Sequence, residues 1–265
     1  MKNNSGLRAR ILSALVMFPV VVAIIWIGHE VFLAFLILLA TLMAWEWSRI
    51  SSAKSHAAWI VMASFLGGTL LFVGLDFPLL AILAILLFGA VFVSILERYS
   101  GAHGRVLMFG GTLYIGAALL TASWLRIQND GAILFLWLLA MVIATDIGAY
   151  IAGRSIGGAK LAPKISPNKT WAGLIGGMIA AAIVSALFAY YMNSTLFEAA
   201  LLGGLIAVVA QSGDLTESWM KRKSGHKDSS NLIPGHGGIL DRLDGFLAAT
   251  PTFAFYVYYT NSLTA

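Results

Sequence analysis

Apolar residues in this chain come in long unbroken runs, and the polar residues gather in the gaps between them. The first run extends from Ile11 to Ile27, and others cover about 31–48, 57–75, 77–96, 106–125, 132–152, 171–192, 196–216 and 239–260. Each is close to the roughly 20 residues that an α-helix needs to cross a bilayer core. The runs are continuous rather than alternating, which argues against a β-barrel. The pattern predicts an all-α, polytopic integral membrane protein with about nine transmembrane helices. His29-Glu30, Asp76-Phe77-Pro78 and Asn193-Ser194-Thr195 read as short turns. The first run follows a basic start, as a signal peptide would, but it is long, contains Pro19 and lacks a small-x-small cleavage site before Gly28. It is read as a retained first span.

Composition supports this class. Of 265 residues, 59% are hydrophobic and 11% charged, with a mean hydropathy of +0.86, against about 25% charged in soluble domains. There is no cysteine, which excludes disulfides, thiolate nucleophiles and Cys-ligated zinc. The net charge of +5 does not point to nucleic acid, because the basic residues sit in short loops between spans. With a cytoplasmic N-terminus and nine alternating spans, 16 of the 17 Lys and Arg and 8 of the 12 acids fall inside. Arg126 alone among the basic residues falls outside. This agrees with the rule that cytoplasmic loops collect Lys and Arg, and predicts a multi-pass protein of the inner (cytoplasmic) membrane.

Two regions follow from where the chemistry lies. Residues 1–130 form an N-terminal region of about five spans with few candidate groups. Trp45-Glu46-Trp47 reads as an interfacial aromatic belt with a snorkelling acid. Glu97-Arg98 reads as ordinary interface charge, and Gly67-Gly68 and Gly110-Gly111 as points of close helix approach. These early spans leave room for a homodimer interface, although nothing specifies one. Residues 131–265 form the catalytic region, with two charged cytoplasmic loops at 153–170 and 217–238.

Within that region, Asp146 stands in an otherwise apolar span, where an ionisable group is costly and a functional candidate; its alternative is a structural partner for Arg154. The segment 153–170 holds Gly153, Gly157, Gly158, Pro163 and Pro167, then Ser166, Asn168, Lys169 and Thr170 before the next span. Ser166 or Asn168 is the expected helix cap, and a capped N-terminus beside a lysine is an anion site. The spacing is not that of a Walker A loop. Residues 211–245 carry five acids, five basic residues and two histidines. On a helix, Asp214, Glu217, Ser218 and Lys221 share one face, and Asp241 and Asp244 share another. Such carboxylates suit Mg²⁺, held by one or two of them with waters and phosphates. Lysine and arginine around them suit phosphates. The combination fits phosphoryl or nucleotidyl transfer.

The run S-W-M-K-R-x4-K-D-S-S-x-x-I-P-G-H-G-G-I-L-D-R-L-D, from Ser218 to Asp244, resembles the signature of the phosphatidate cytidylyltransferases, or CDP-diacylglycerol synthases. D-I-G-A-Y-x-x-G-R at 146–154 and K-L-x-P-x-I-S-P-N-K-T-W at 160–171 resemble that family too. The resemblance covers most of 146–245. It implies that CTP and phosphatidate give CDP-diacylglycerol and pyrophosphate, with CTP, phosphatidate and membrane lipid as partners. The site expected on that basis has Asp214 and Asp241 on Mg²⁺, with Asp244 as a third metal ligand, Asp146 as an orienting acid and room for a second cation. Lys169, Lys221, Arg222 and Lys227 would neutralise phosphates, with Ser166, Ser218, His236 and Arg242 in the substrate-binding set. The family commonly has Glu-Gly after K-T-W, whereas this chain has Ala172-Gly173; the missing acid is either dispensable or replaced, with Asp146 the candidate. Two other readings use the same features: a CTP-dependent lipid-alcohol kinase, and a cation-coupled transporter.

Overall fold

The computed structural model describes residues 4–51, 53, 56–75, 77–233 and 237–264. Among these residues the chain forms nine α-helices: α1 (Asn4–Ile27), α2 (His29–Ile50), α3 (His56–Gly74), α4 (Leu79–Leu96), α5 (Gly101–Ile127), α6 (Gly131–Ser155), α7 (Trp171–Tyr191), α8 (Leu196–Lys223) and α9 (Leu240–Thr264). A 3₁₀ turn (Glu97–Ser100) links α4 to α5. Each helix coincides with an expected run to within a few residues, except that α1 and α5 start earlier and α8 continues to Lys223. Among the described residues, seven helices, α2 to α8, are long and apolar enough to cross a membrane. Helix α9 has the length, but its Thr, Tyr and Asn residues lower its hydropathy. His29 and Glu30 are not a turn; they open α2 directly after Gly28.

The expected irregular loop before α7 contains a two-stranded antiparallel hairpin, β1 (Lys160–Ala162) with β2 (Ser166–Thr170), in the register Lys160 to Thr170 and Ala162 to Ser166. Its second strand runs straight into α7. The cap of that helix is Thr170, whose hydroxyl accepts from the Gly173 amide at 3.0 Å, rather than Ser166 or Asn168. Both of those lie inside the strand, too far upstream to reach the first free amides of the helix.

The chain divides into two compact units. The first comprises Met1–Ala132 with Lys223–Leu243. Its helices pack in sequence order, with α5 also against α2 and α3. Phe32, Leu36, Ala40, Met43, Trp47 and Ile50 recur every three or four residues and bury one stripe of α2. Of the four glycines expected to permit close approach, Gly111 does so most directly, with the Trp47 indole filling the place of a β-carbon. Gly68 and Gly110 face open space. The Arg126 guanidinium donates to the Ile25 carbonyl at 2.7 Å, satisfying the end of α1.

The second unit comprises Ile133–Arg222 with Asp244–Ala265. Small residues set its helix packing, as in membrane helices generally. A β-carbon on Gly148 of α6 would stand 2.6 Å from the Gly176 carbonyl of α7, and one on Gly203 of α8 would overlap the Ala181 carbonyl. Gly245 of α9 lies against Ala210 of α8. Trp137 completes the core: it is buried, its indole N–H donates to Ser185 at 3.1 Å, and its ring meets Phe188 and Phe253.

Candidate active site

The second unit gathers polar groups from four separated segments. The hairpin brings Lys169 to α8, where its Nζ lies 2.7 Å from Asp214 Oδ2 and donates to the Gln211 carbonyl at 3.3 Å. Close packing of Gly153 near the end of α6 against Thr170 and Gly173 fixes the hairpin's last residue beside α7. On α8 the expected face is present. Ser218 donates to Asp214 Oδ1 at 3.2 Å, and Lys221 lies 3.2 Å from Glu217, both pairs one turn apart. Lys221 and Glu217 are buried. Asp244, in the first turns of α9, stands within electrostatic reach of Asp214, Asp146 and Lys221. Asp146, Lys169, Asp214, Ser218, Lys221 and Asp244 therefore form one neighbourhood. Arg154 turns instead to Tyr150, donating to its hydroxyl at 3.1 Å.

Three carboxylates in one neighbourhood repel one another, and a cation relieves that repulsion. Among the described residues no three acids or histidines are gathered around one point as a complete metal cage would need. Mg²⁺ does not need such a cage, because it keeps waters and takes its remaining ligands from phosphates. Asp214 and Asp244 are hard oxygen donors of the kind Mg²⁺ accepts.

In the first unit, the segment between α8 and α9 is built around two acids. Asp241 Oδ2 accepts from the Ser229 amide at 2.9 Å, the Ser229 hydroxyl at 3.0 Å and the Gly238 amide at 2.8 Å. Gly237 has a φ of +85°, which a side chain would strain, and this turn directs the Gly238 amide back. The second acid is Glu46. It is not an interfacial residue: it is completely buried and bonded to Ser229, Ser230, Ile239 and Leu240. Glu97 is also buried rather than interfacial. The burial of Glu46, though not its partners, is signalled by its place in the sequence. It falls three residues after Met43 and four before Ile50, on the apolar stripe of α2 rather than off it.

The other expected residues are more dispersed. Ser166 is half-buried at the start of β2, Arg222 is exposed near the end of α8, Lys227 is exposed in the following loop, and Arg242 is exposed in the first turn of α9. His236 lies outside the described residues. Ala172 follows the cap of α7, so its first turn carries no acid.

A family model described as "Cytidylyltransferase family" matches residues 8–260. The chain belongs to that family. It is 38% identical over 254 residues to a phosphatidate cytidylyltransferase of Brucella suis biovar 1, covering 92% of this chain and 91% of that protein. Proteins of the same name from Haemophilus influenzae and Pseudomonas aeruginosa are 34% and 35% identical, covering 96% and 94% of this chain and 99% and 96% of theirs. Membership of the cytidylyltransferase family thus extends over both units and includes all the polar groups described above, not only the signature segments.

Proposed function

We propose that this chain transfers the cytidylyl group of CTP to phosphatidate, giving CDP-diacylglycerol and pyrophosphate. The observation that carries the reading is the convergence of Asp146, Lys169, Asp214, Ser218, Lys221 and Asp244, from α6, β2, α8 and α9, in one neighbourhood. Such an arrangement binds several phosphates while holding acids for a cation. The names of its full-length relatives support the choice of substrates.

The chemistry needs little proton transfer. A phosphate monoester has a second pKa of about 6, so the attacking phosphatidate oxygen is already ionised at neutral pH. That oxygen forms a bond to the α-phosphorus of CTP, the bond to the β-phosphate's bridging oxygen breaks, and the electron pair leaves with pyrophosphate. Positioning and charge neutralisation supply the catalysis. Lys169 and Lys221 meet phosphate oxygens from opposite elements of the site. Ser166 and Ser218 offer hydroxyls, and Arg222, Lys227 and Arg242 are further cations proposed to attract the nucleotide's phosphates. Asp214 holds Lys169 in place, as their ion pair supports. When bound, Mg²⁺ would draw charge from the triphosphate and the leaving pyrophosphate. Asp214 and Asp244 would hold it, and Asp241, three residues before Asp244 in the sequence, is a further carboxylate proposed for the reaction.

The reaction faces the cytoplasm in this reading, with the protein in the inner membrane. The charge alternation supports this side, since CTP is cytosolic and the basic loops are the natural inside loops. The chain lacks cysteine, so Lys164→Cys and Asn129→Cys each supply a single thiol. An impermeant maleimide should label Asn129→Cys in intact cells and Lys164→Cys only after lysis; the reverse pattern overturns the orientation.

The activity is tested with purified protein, phosphatidate and CTP labelled on either the α- or the γ-phosphate. Label from the α-phosphate should enter the lipid while pyrophosphate is released. Transfer of the γ-phosphate to a lipid alcohol would replace this reading with the kinase. Cation flux without CTP, and no lipid product, would replace it with the transporter.

A further inference from the structure

A carboxylate without access to water persists only where hydrogen bonds replace its hydration. Glu46 is 0% exposed, and each of its oxygens has two partners. Oε1 accepts from the Ser230 hydroxyl and from the Ile239 amide at 2.9 Å. Oε2 accepts from the Ser229 hydroxyl at 3.2 Å and from the Leu240 amide at 2.7 Å. The two amides belong to the entry of α9, where main-chain N–H groups have no partner within the helix and the dipole favours an anion. The two hydroxyls come from the other arm of the loop. One side chain therefore joins both arms.

The closure is tight. A β-carbon on Gly238 would overlap the Ser229 hydroxyl and lie 2.5 Å from Glu46 Oε1. The Ser229 hydroxyl has one proton and two carboxylate neighbours, Glu46 and Asp241, and so couples them. The platform beneath is fixed as well. Trp47 donates to the Leu107 carbonyl at 2.9 Å, and the Ser224 hydroxyl donates to the Ile50 carbonyl. The end of α2 thus holds the loop at its start through Ile50 and at its finish through Glu46.

We infer that Glu46 is a positioning residue for Asp241: it fastens Ser229 and Ser230 to the entry of α9 at Ile239 and Leu240, and so fixes where the Asp241 carboxylate stands. The inference rests on the cytidylyl transfer proposed above, in which Asp241 takes part.

The test is Glu46→Gln in the full-length protein in detergent micelles or nanodiscs. Glutamine keeps the size but has one acceptor oxygen, and its NH₂ group meets the Leu240 or Ile239 amide donor to donor. Peptide hydrogen exchange over 227–243 should become about tenfold faster or more, while peptides from 31–45 and 246–260 keep the wild-type rate. The kcat per folded molecule should fall about tenfold or more, since small misplacement of a reacting group is costly. Combining Glu46→Gln with Ser229→Ala should lose less than the product of the two single losses, because both break one link. If Glu46→Gln does not fold, Ser230→Ala removes one of the four bonds and is read in the same way. Wild-type exchange over 227–243 overturns the inference. So does activity that falls only in proportion to folded protein. A wild-type protein that transfers no cytidylyl group would sink the reaction instead, and the exchange comparison, which needs no substrate, would still decide the loop.

Discussion

Lys169→Met removes one ammonium and leaves most of its aliphatic stem. Two different losses follow, and their sizes separate a catalytic lysine from a structural one. The first is the ion pair with Asp214, at 2.7 Å. At an effective dielectric constant near 20 the gross attraction is about 6 kcal/mol. Desolvation and side-chain ordering return most of it. With Lys169 18% and Asp214 34% exposed, the net contribution is about 1 kcal/mol at most. The second loss belongs to the reaction. A preorganised cation aimed at charge that develops on phosphate is worth roughly 10²–10³ in rate, or about 2.7–4 kcal/mol. The expected outcome is therefore a small shift in thermal midpoint and a fall in kcat/KM of about 100-fold or more. The assay is initial-rate transfer from α-labelled CTP at several phosphatidate surface concentrations, paired with a melting curve in the same detergent. Lys169→Arg keeps the charge and should retain part of the activity. A Lys169→Met protein within about threefold of wild-type kcat/KM would refute the reasoning, since that factor is smaller than any transition-state contact of this kind. A large fall in stability with unchanged kcat per folded molecule would reduce Lys169 to a brace for Asp214.

Asp214→Asn and Asp244→Asn should each abolish cytidylyl transfer while leaving expression and detergent behaviour unchanged, and chelation of divalent cations should do the same reversibly; full activity after chelation sinks the Mg²⁺ assignment. Gly203→Leu should destabilise the second unit by roughly 1–3 kcal/mol or more, because its side chain would have to displace the Ala181 main chain; a melting curve with the wild-type midpoint would contradict that packing. Thr170→Ala removes the α7 cap and should cost about 1 kcal/mol, with a smaller loss for Thr170→Ser, read from melting curves of the purified variants.

Most of the helical frame was legible because hydrocarbon imposes one pattern on every span. A run such as 171–192 must keep its main-chain polar groups satisfied within itself, so its ends are visible as the places where apolar residues stop. The structure ends that helix at Tyr191. The face Asp214, Glu217, Ser218 and Lys221 was legible for a similar reason, since helical spacing alone brings those side chains together. The hairpin was not. Its strands are three and five residues long and carry Pro167, so no periodic signal marks them, and with the strand went the true cap, Thr170. Glycine was legible as small but not as close: Gly111 lies against Trp47 and Gly110 faces open space, and the two are neighbours in the chain.

Glu46 draws the line most sharply. Read locally, an acid between two tryptophans near a helix end belongs at an interface. Its partners are 183 to 194 residues away, and no local pattern announces them. The sequence by itself determined the class of protein, the helices and the chemical types of the candidate site, because these depend on hydropathy runs, helical spacing and a long polar signature. Only the tertiary structure decided which acids face one another and which serve the loop. Pairing between distant side chains depends on how helices pack, and that is settled by small residues and buried hydrogen bonds summed over the whole chain rather than at any one position.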